Sequence, residues 1–159
     1  MSLVVECKPD EALVIALGLT GRSVEHGANK VGVCEQLAAR EGICGMVDED
    51  PRGEQGSYLR RLKEASYSHG IRLLLDEKGN NRVIVLCPRL EEWLVAAAKE
   101  SGLKMTDFGF SSDHGLQLHN EINHRLGSVA RLAKALLEQN SRRLLRLKHL
   151  LHETNGTNE

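Results

Sequence analysis

Two short apolar runs that each lead into acidic residues constrain this chain more than any other feature of its sequence. The first run, at 2–6, ends on Glu6, and the second, at 43–47, is followed by Asp48 and Asp50. Short apolar runs bounded by turn-forming residues are typical of buried strands. Parallel strands of an open α/β sheet end at one edge, where ligands bind. The sequence therefore predicts that the three acids meet at one site.

A site built from these acids is expected to hold a divalent cation. Carboxylates that lie close together repel one another unless a positive charge lies among them. Mg²⁺ binds through carboxylate oxygens and is the expected occupant, with Mn²⁺ as the substitute. Acids at strand ends also serve as helix caps, so this pattern alone leaves a purely structural role open.

Strand and helix signals alternate through the first hundred residues. The predicted strands are at 2–6, 22–25, 43–47, 71–75 and 83–87, and the predicted helices are at 9–17, 29–40, 53–68 and 88–99. Alternation of this kind predicts an α/β fold, with a Rossmann-like, parallel-rich sheet of four to five strands and helices on both faces.

The pattern changes after residue 102, where only helix signals remain, at about 116–125, 128–139 and 141–152. We therefore divide the chain into a domain at 1–102 and a C-terminal helical extension at 103–159. Leu144, Leu147 and Leu151 form an apolar stripe at helical spacing. The stripe packs either on the chain's own domain or on another chain. We expect a dimer or another docking surface, because the earlier helices suffice to cover the sheet.

Composition narrows the setting of the protein. The chain has 159 residues and a formal net charge of -1, which argues against a general polyanion binder. None of its four cysteines forms a C-x-x-C pair, so buried free thiols in a reducing compartment are expected. The sequence shows no charged leader and no long apolar segment. These features predict a cytoplasmic protein without membrane contact.

The acidic segments resemble the Toprim domain, the catalytic fold shared by topoisomerases, bacterial primases and several nucleases. Residues 6–10 are similar to the E-G-x-x-D motif of that family, with Cys7 in place of the usual glycine. Residues 48–54 match its D-x-D-x-x-G-E motif in full, and residues 26–30 lie where Toprim nucleases often carry a glycine-rich turn and a lysine. The resemblance covers about residues 2–76 and implies the Toprim form of the α/β fold.

A second segment resembles small stand-alone Toprim proteins. Residues 83–94 are similar to their P-x-x-E-x-W-L segment. Several of these proteins are encoded with ATPases of the "overcoming lysogenization defect" type, whose own nuclease domain is Toprim. This resemblance implies that Glu91 adds a fourth carboxylate to the site. The alternative is that Glu91 and Glu92 only stabilise the first turn of a helix through its dipole.

The family's roles carry over to this chain residue by residue. Asp48 and Asp50 would hold Mg²⁺, which polarises a phosphate oxygen. Glu6 would be the general acid or base, or a ligand of a second metal ion, and Lys30 would place a positive charge close to the phosphate. The substrate contacts implied by the resemblance are Lys8, Asp10, His26, Gly27, Arg52 and Glu54.

The function predicted from these residues is a Mg²⁺-dependent phosphodiesterase that acts on DNA or RNA. The first alternative is a non-catalytic or conditionally active Toprim subunit that partners an ATPase, and a minor alternative is a ribonuclease that processes ribosomal RNA. A topoisomerase is excluded, because Tyr58 and Tyr67 are predicted on a helix face rather than at a nucleophile position.

Three histidines in the C-terminal extension are evenly spaced without forming a metal site. His114, His119 and His124 are five residues apart, and each step of five rotates a helical side chain by about 140°. No common helix face therefore carries all three. We expect them to be surface or capping groups.

Overall fold

The computed structural model describes residues 1–153, which fold around one mixed sheet. The strands are β1 (Leu3–Val5), β2 (Val24–His26), β3 (Cys44–Asp48), β4 (Lys63–Ser68), β5 (Ile71–Asp76) and β6 (Asn81–Leu86). The helices are α1 (Lys8–Ala16), α2 (Lys30–Ala39), α3 (Ser57–Arg60), α4 (Leu90–Glu100), α5 (Gly115–Leu118), α6 (Leu126–Glu138) and α7 (Arg142–Glu153). The end of the predicted extension, 154–159, lies outside the described residues.

The six strands are arranged in the order β2-β1-β3-β6-β5-β4. The first four of these are mutually parallel, whereas β5 runs antiparallel to both β6 and β4. The predicted α/β class is confirmed, and the sheet has one strand more than the four to five expected.

The parallel strands bring the acidic segments to the same edge of the sheet. Val5 of β1 pairs with Met46 of β3, and Asp48 at the end of β3 pairs with Leu86 at the end of β6. The residues that follow β1, β3 and β6 therefore leave the sheet side by side, as in other open α/β sheets.

The segment 53–68 differs from the helix predicted there. Only the single turn of α3 is helical, and β4 follows as an edge strand. His69 and Gly70 join β4 to β5 with positive φ angles of 53° and 68°. This conformation suits a two-residue hairpin turn. The apolar spacing around Tyr58 favoured a long helix. This local pattern gives no information about the pairing of β4 with β5, which makes 63–68 a strand.

Two apolar cores cover the two faces of the sheet. The larger core joins the sheet to α1, α4, α6 and α7, and Trp93 and Leu94 of α4 lie at its centre without solvent exposure. The smaller core joins the opposite face to α2 and α3 through Val33, Leu37 and Leu59. Helices thus cover both faces, as predicted, but they cover them unequally.

The leucine stripe of the last helix lies inside the larger core. Leu144 and Leu147 have no exposed surface, and Leu151 is 2 % exposed. These side chains share one cluster with residues of β1, β3 and α1. The face that we expected to be available for a dimer or a docking partner is therefore filled from within the chain.

Two further expectations concern the setting of the protein. Within residues 1–153, no helix combines the length and hydropathy needed to span a bilayer. All four cysteines are free: Cys44 and Cys87 are buried, and Cys7 and Cys34 are partly exposed.

Replacing Leu147 with alanine is expected to destabilise the protein by about 2 to 5 kcal/mol, because it leaves a cavity in a closely packed core. The matched control is Leu145→Ala on the same helix, where the side chain is 44 % exposed and the expected change is within about 0.5 kcal/mol. Urea denaturation measures both variants. Equal, small losses would contradict the placement of α7 in the core.

A candidate active site built from four carboxyl groups

The candidate site begins with a contact between the two acidic segments. The Glu6 Oε2 atom accepts a hydrogen bond from the Asp48 backbone N–H at 2.7 Å. The Asp48 Oδ1 atom in turn accepts a hydrogen bond from the Leu90 N–H at 3.0 Å, in the first turn of α4. These bonds connect the ends of β1 and β3 to the start of α4. Glu6 and Asp48 therefore lie together, as the sequence predicted.

Asp10, which was expected to contact substrate, is 3 % exposed and caps α1 instead. Its Oδ2 atom accepts hydrogen bonds from the N–H and the Sγ–H of Cys7, both at 3.1 Å. Cys7, which stands where the similar Toprim motif has glycine, therefore supplies an extra donor to this aspartate. The charge of Asp10 contributes to the raised pKa of Asp48.

Glu91 is 3 % exposed, and its negative charge contributes to the raised pKa values of Glu6 and Asp48. Its Oε1 atom lies 2.8 Å from Nδ1 of His119, which directly follows α5. The C-terminal extension thus contributes a side chain beside the site. Spacing within the extension gave no signal for this contact, because the partner of His119 lies in another helix.

We call Glu6, Asp10, Asp48 and Glu91 the acidic cluster. Burial, followed by the negative charges of the other three members, raises the pKa of Asp48 to about 9. Burial is also the main cause that raises the pKa of Asp10 to about 7. The pKa of Glu6 is raised by burial, against the opposing effects of the Asp48 N–H and the Lys30 charge. In the absence of a cation the cluster therefore retains protons near neutral pH.

Asp50, the second acid of the Asp-x-Asp pair, lies at the rim of the acidic cluster. Its Oδ1 atom accepts a hydrogen bond from Nη2 of Arg89 at 2.9 Å, and Arg89 also binds Glu92 at 2.7 Å. Asp50 has a φ of 43°, and a Cβ on Gly53 would lie only 2.6 Å from its Oδ2 atom. The glycine of the motif therefore permits the turn that positions Asp50. Arg89 was not predicted as a site residue.

Lys30 lies on the other side of the site, at the start of α2. Its Nζ atom donates to the Glu49 carbonyl oxygen at 2.7 Å and to Gln55 Oε1 at 2.9 Å. The Gln55 amide also donates to the carbonyl oxygens of Glu49 and Asp50, both at 3.0 Å. Gln55, which was not predicted as a site residue, thus fixes both the lysine and the loop that carries Asp50.

The remaining predicted contacts lie around this centre. His26, at the end of β2, pairs with Glu11 of α1. A Cβ on Gly27 would lie 2.6 Å from the backbone nitrogen of Val33, so this glycine permits close packing against α2. Three of the predicted substrate contacts are exposed at the same edge of the sheet: Lys8, Arg52 and Glu54.

The acidic cluster offers only carboxylate oxygens as ligands, and such oxygens suit a hard divalent cation. The raised pKa values of Asp10 and Asp48 reflect their burial and the uncompensated negative charge of the neighbouring acids. Within residues 1–153, however, no three acidic, histidine or cysteine side chains already converge on one point that could hold a metal ion. Each carboxylate is turned to a protein donor instead. Metal binding therefore requires rotation of these side chains and the release of protons.

No family model matches the chain, and neither curated proteins nor solved structures gave a match. The resemblance to the Toprim domain rests on the motif residues quoted above.

The contribution of Asp48 to the stability of the protein is expected to fall as pH rises from about 4 to about 9. Unfolded Asp48 ionises in the ordinary aspartate range, whereas folded Asp48 keeps its proton up to about pH 9. The folded state binds more protons across this window, so raising the pH favours unfolding. Asp48→Asn should therefore be more stable than the wild type at pH 8, by on the order of 1 to 2 kcal/mol, and about equal to it at pH 4.

Urea denaturation in EDTA at both pH values measures this difference. The control is Glu35→Gln, which removes one charge from an exposed position of α2 and should leave the pH dependence unchanged. A loss of stability in Asp48→Asn at pH 8 would mean that the fold needs the ionised carboxylate, which would contradict the prediction.

Proposed function

We propose that this protein is a Mg²⁺-dependent phosphodiesterase of the Toprim type that cleaves nucleic acid in the cytoplasm. The observation that carries the proposal is the acidic cluster itself. Four carboxyl groups lie near one another around the ends of β1 and β3 and the start of α4, and burial, followed by the charges of the other three, raises the pKa of Asp48 to about 9. A structural role needs no such accumulation of like charge, whereas a cation-binding site does.

In this proposal Asp48, Glu91 and Asp50 hold the metal, with Glu6 as the ligand of a second ion if two bind. The bound ion would polarise a phosphate oxygen and neutralise the charge that develops on it. Glu6 accepts or delivers the proton, because its raised pKa brings it toward the working pH of such a group. Lys30 binds the phosphate, since its Nζ atom is held at the same edge by Gln55.

A conditionally active subunit of an ATPase is the second candidate, and one observation favours it. Asp50 is paired with Arg89 and Glu91 with His119, so two of the proposed ligands are engaged by basic side chains. A partner that separates these pairs would complete the metal site. This candidate no longer has the leucine stripe of α7 as its docking surface, because that stripe is buried.

Purified protein with Mg²⁺ or Mn²⁺ is expected to cleave DNA or RNA, and Asp48→Asn is expected to lower the rate by at least about 100-fold, because it removes a metal ligand. Gel assays on a mixed set of DNA and RNA strands, including a ribosomal RNA precursor, measure the cleavage. The control variant is Glu35→Gln, which should cleave at the wild-type rate. Circular dichroism confirms that both variants are folded.

The outcomes separate the candidates. Metal-dependent cleavage by the isolated chain supports the enzyme, and cleavage only after an ATPase is added supports the conditional subunit. Cleavage confined to the ribosomal RNA precursor supports the processing ribonuclease. Cleavage that survives both Asp48→Asn and EDTA would come from a contaminant or from another site, and it would overturn the proposal.

Arg89→Gln is expected to tighten Mg²⁺ binding roughly 2- to 5-fold, because it releases Asp50 from a partly exposed ion pair. Isothermal titration calorimetry with Mg²⁺ alone measures the affinity. The control is Arg22→Gln, which removes the same charge from an exposed turn before β2. Weaker Mg²⁺ binding in Arg89→Gln would mean that Arg89 holds Asp50 in its binding position.

A further inference from the structure

One part of the sheet surface is left open by the helices. On the face that carries α2 and α3, the buried side chains of β5 and β6 pack against Leu59 and Tyr58. β4 lies beyond this cover as an edge strand, and four of its six residues are exposed.

Tyr67 projects from this open face. On the opposite face, the Ser66 Oγ atom bonds Arg146 of α7 at 3.1 Å, and alternation along the strand directs Tyr67 the other way. Tyr67 is 62 % exposed, and its cross-strand partner in β5 is Arg72. Residues paired across two strands lie on one face, so the phenol ring and the guanidinium group are neighbours.

This pair of residues lies at the same edge of the sheet as the acidic cluster. β4 runs parallel to β3 and β6, because both β4 and β6 are antiparallel to β5. Tyr67 is the penultimate residue of β4, and Asp48 is the last residue of β3. Three strand spacings of about 4.8 Å, about 14 Å in all, separate the two strands along the sheet. Asp48 alternates with Val47 of the smaller core, so its side chain lies toward α4 and the larger core, and a bound strand reaches it over the carboxyl edge of the sheet.

A cavity of about 280 Å³ lies over β5 and β6, the two strands between β4 and β3, and under the segment 49–60. Arg60 and Arg72 line it, together with Glu49, the residue that follows Asp48. Arg72 binds Glu64 at 2.5 Å and Glu49 at 3.7 Å through partly exposed pairs. Such pairs contribute little energy and exchange readily for another anion. Arg60 is exposed.

We propose that this face binds single-stranded nucleic acid and leads it over the carboxyl edge of the sheet to the acidic cluster, with a base stacked on Tyr67 and phosphates bound by Arg72 and Arg60. The inference rests on the proposed function for the destination of the strand. An exposed aromatic ring beside arginines on an open sheet is the arrangement that binds unpaired bases, because every base offers a face for stacking. A duplex hides those faces and would not use Tyr67.

Fluorescence anisotropy with fluorescein-labelled oligothymidylate and oligouridylate tests the proposal in EDTA, where cleavage cannot occur. Tyr67→Ala should weaken binding about 10-fold, the loss of one stacked base, whereas Tyr67→Phe should bind within about twofold of the wild type. Arg72→Gln should weaken binding and reduce its salt dependence by about one phosphate contact. Arg22→Gln is the charge-matched control and should bind as the wild type does.

The same proteins are then tested for Mg²⁺-dependent cleavage, which separates the two proposals. Binding that depends on Tyr67 without any cleavage keeps the strand-binding face and refutes the phosphodiesterase. Cleavage combined with binding that Tyr67→Ala and Arg72→Gln leave unchanged keeps the phosphodiesterase and refutes the strand-binding face. Absence of strand binding by the wild type overturns the inference, and so does a dimer in sedimentation that Tyr67→Ala dissociates, because a second copy would then cover this face.

Discussion

The hydrogen bond between the Glu6 carboxylate and the Asp48 N–H is the contact on which the organisation of the site depends. It joins two strands at the edge where both end, and it brings a carboxylate next to another acid. The other acids of the cluster each have their own polar partner: Cys7 bonds Asp10, the amide of Leu90 bonds Asp48, and His119 bonds Glu91. Each acid has a protein donor, yet the cluster as a whole lacks positive charge. This imbalance makes the site a candidate for cation chemistry.

The elements that the sequence predicted well are those in which local pattern and tertiary environment agree. β1 and β3 are short apolar runs buried on both faces, and their terminal acids follow from that position. Glu91 was anticipated only through resemblance. Its burial beside Asp48 depends on the pairing of β3 with β6, which no local pattern encodes.

The errors arose where contacts between elements override local spacing. The apolar residues just before β4 are spaced as in a helix. β4 is a strand because it pairs with β5 in a hairpin. Arg89, Gln55 and His119 were missed for a related reason. Each acts across a gap in sequence, on Asp50, Lys30 and Glu91 respectively, and a polar side chain in a loop gives no indication of its partner. The leucines of α7 were recognised as an apolar face. The strands that they help to cover are distant in the sequence, since even the nearest, β6, ends more than forty residues before α7 begins.

The position of α7 at the end of the described chain has a consequence for biosynthesis. Its leucines complete the larger core, which also contains residues of β1 and α1 from the beginning of the chain. During translation, this core is covered only in part, by α1, α4 and α6, until α7 has been made. Apolar surface exposed in this way promotes aggregation of incomplete chains. Prematurely terminated products of this gene should accordingly be substrates for chaperones and proteases rather than small functional domains.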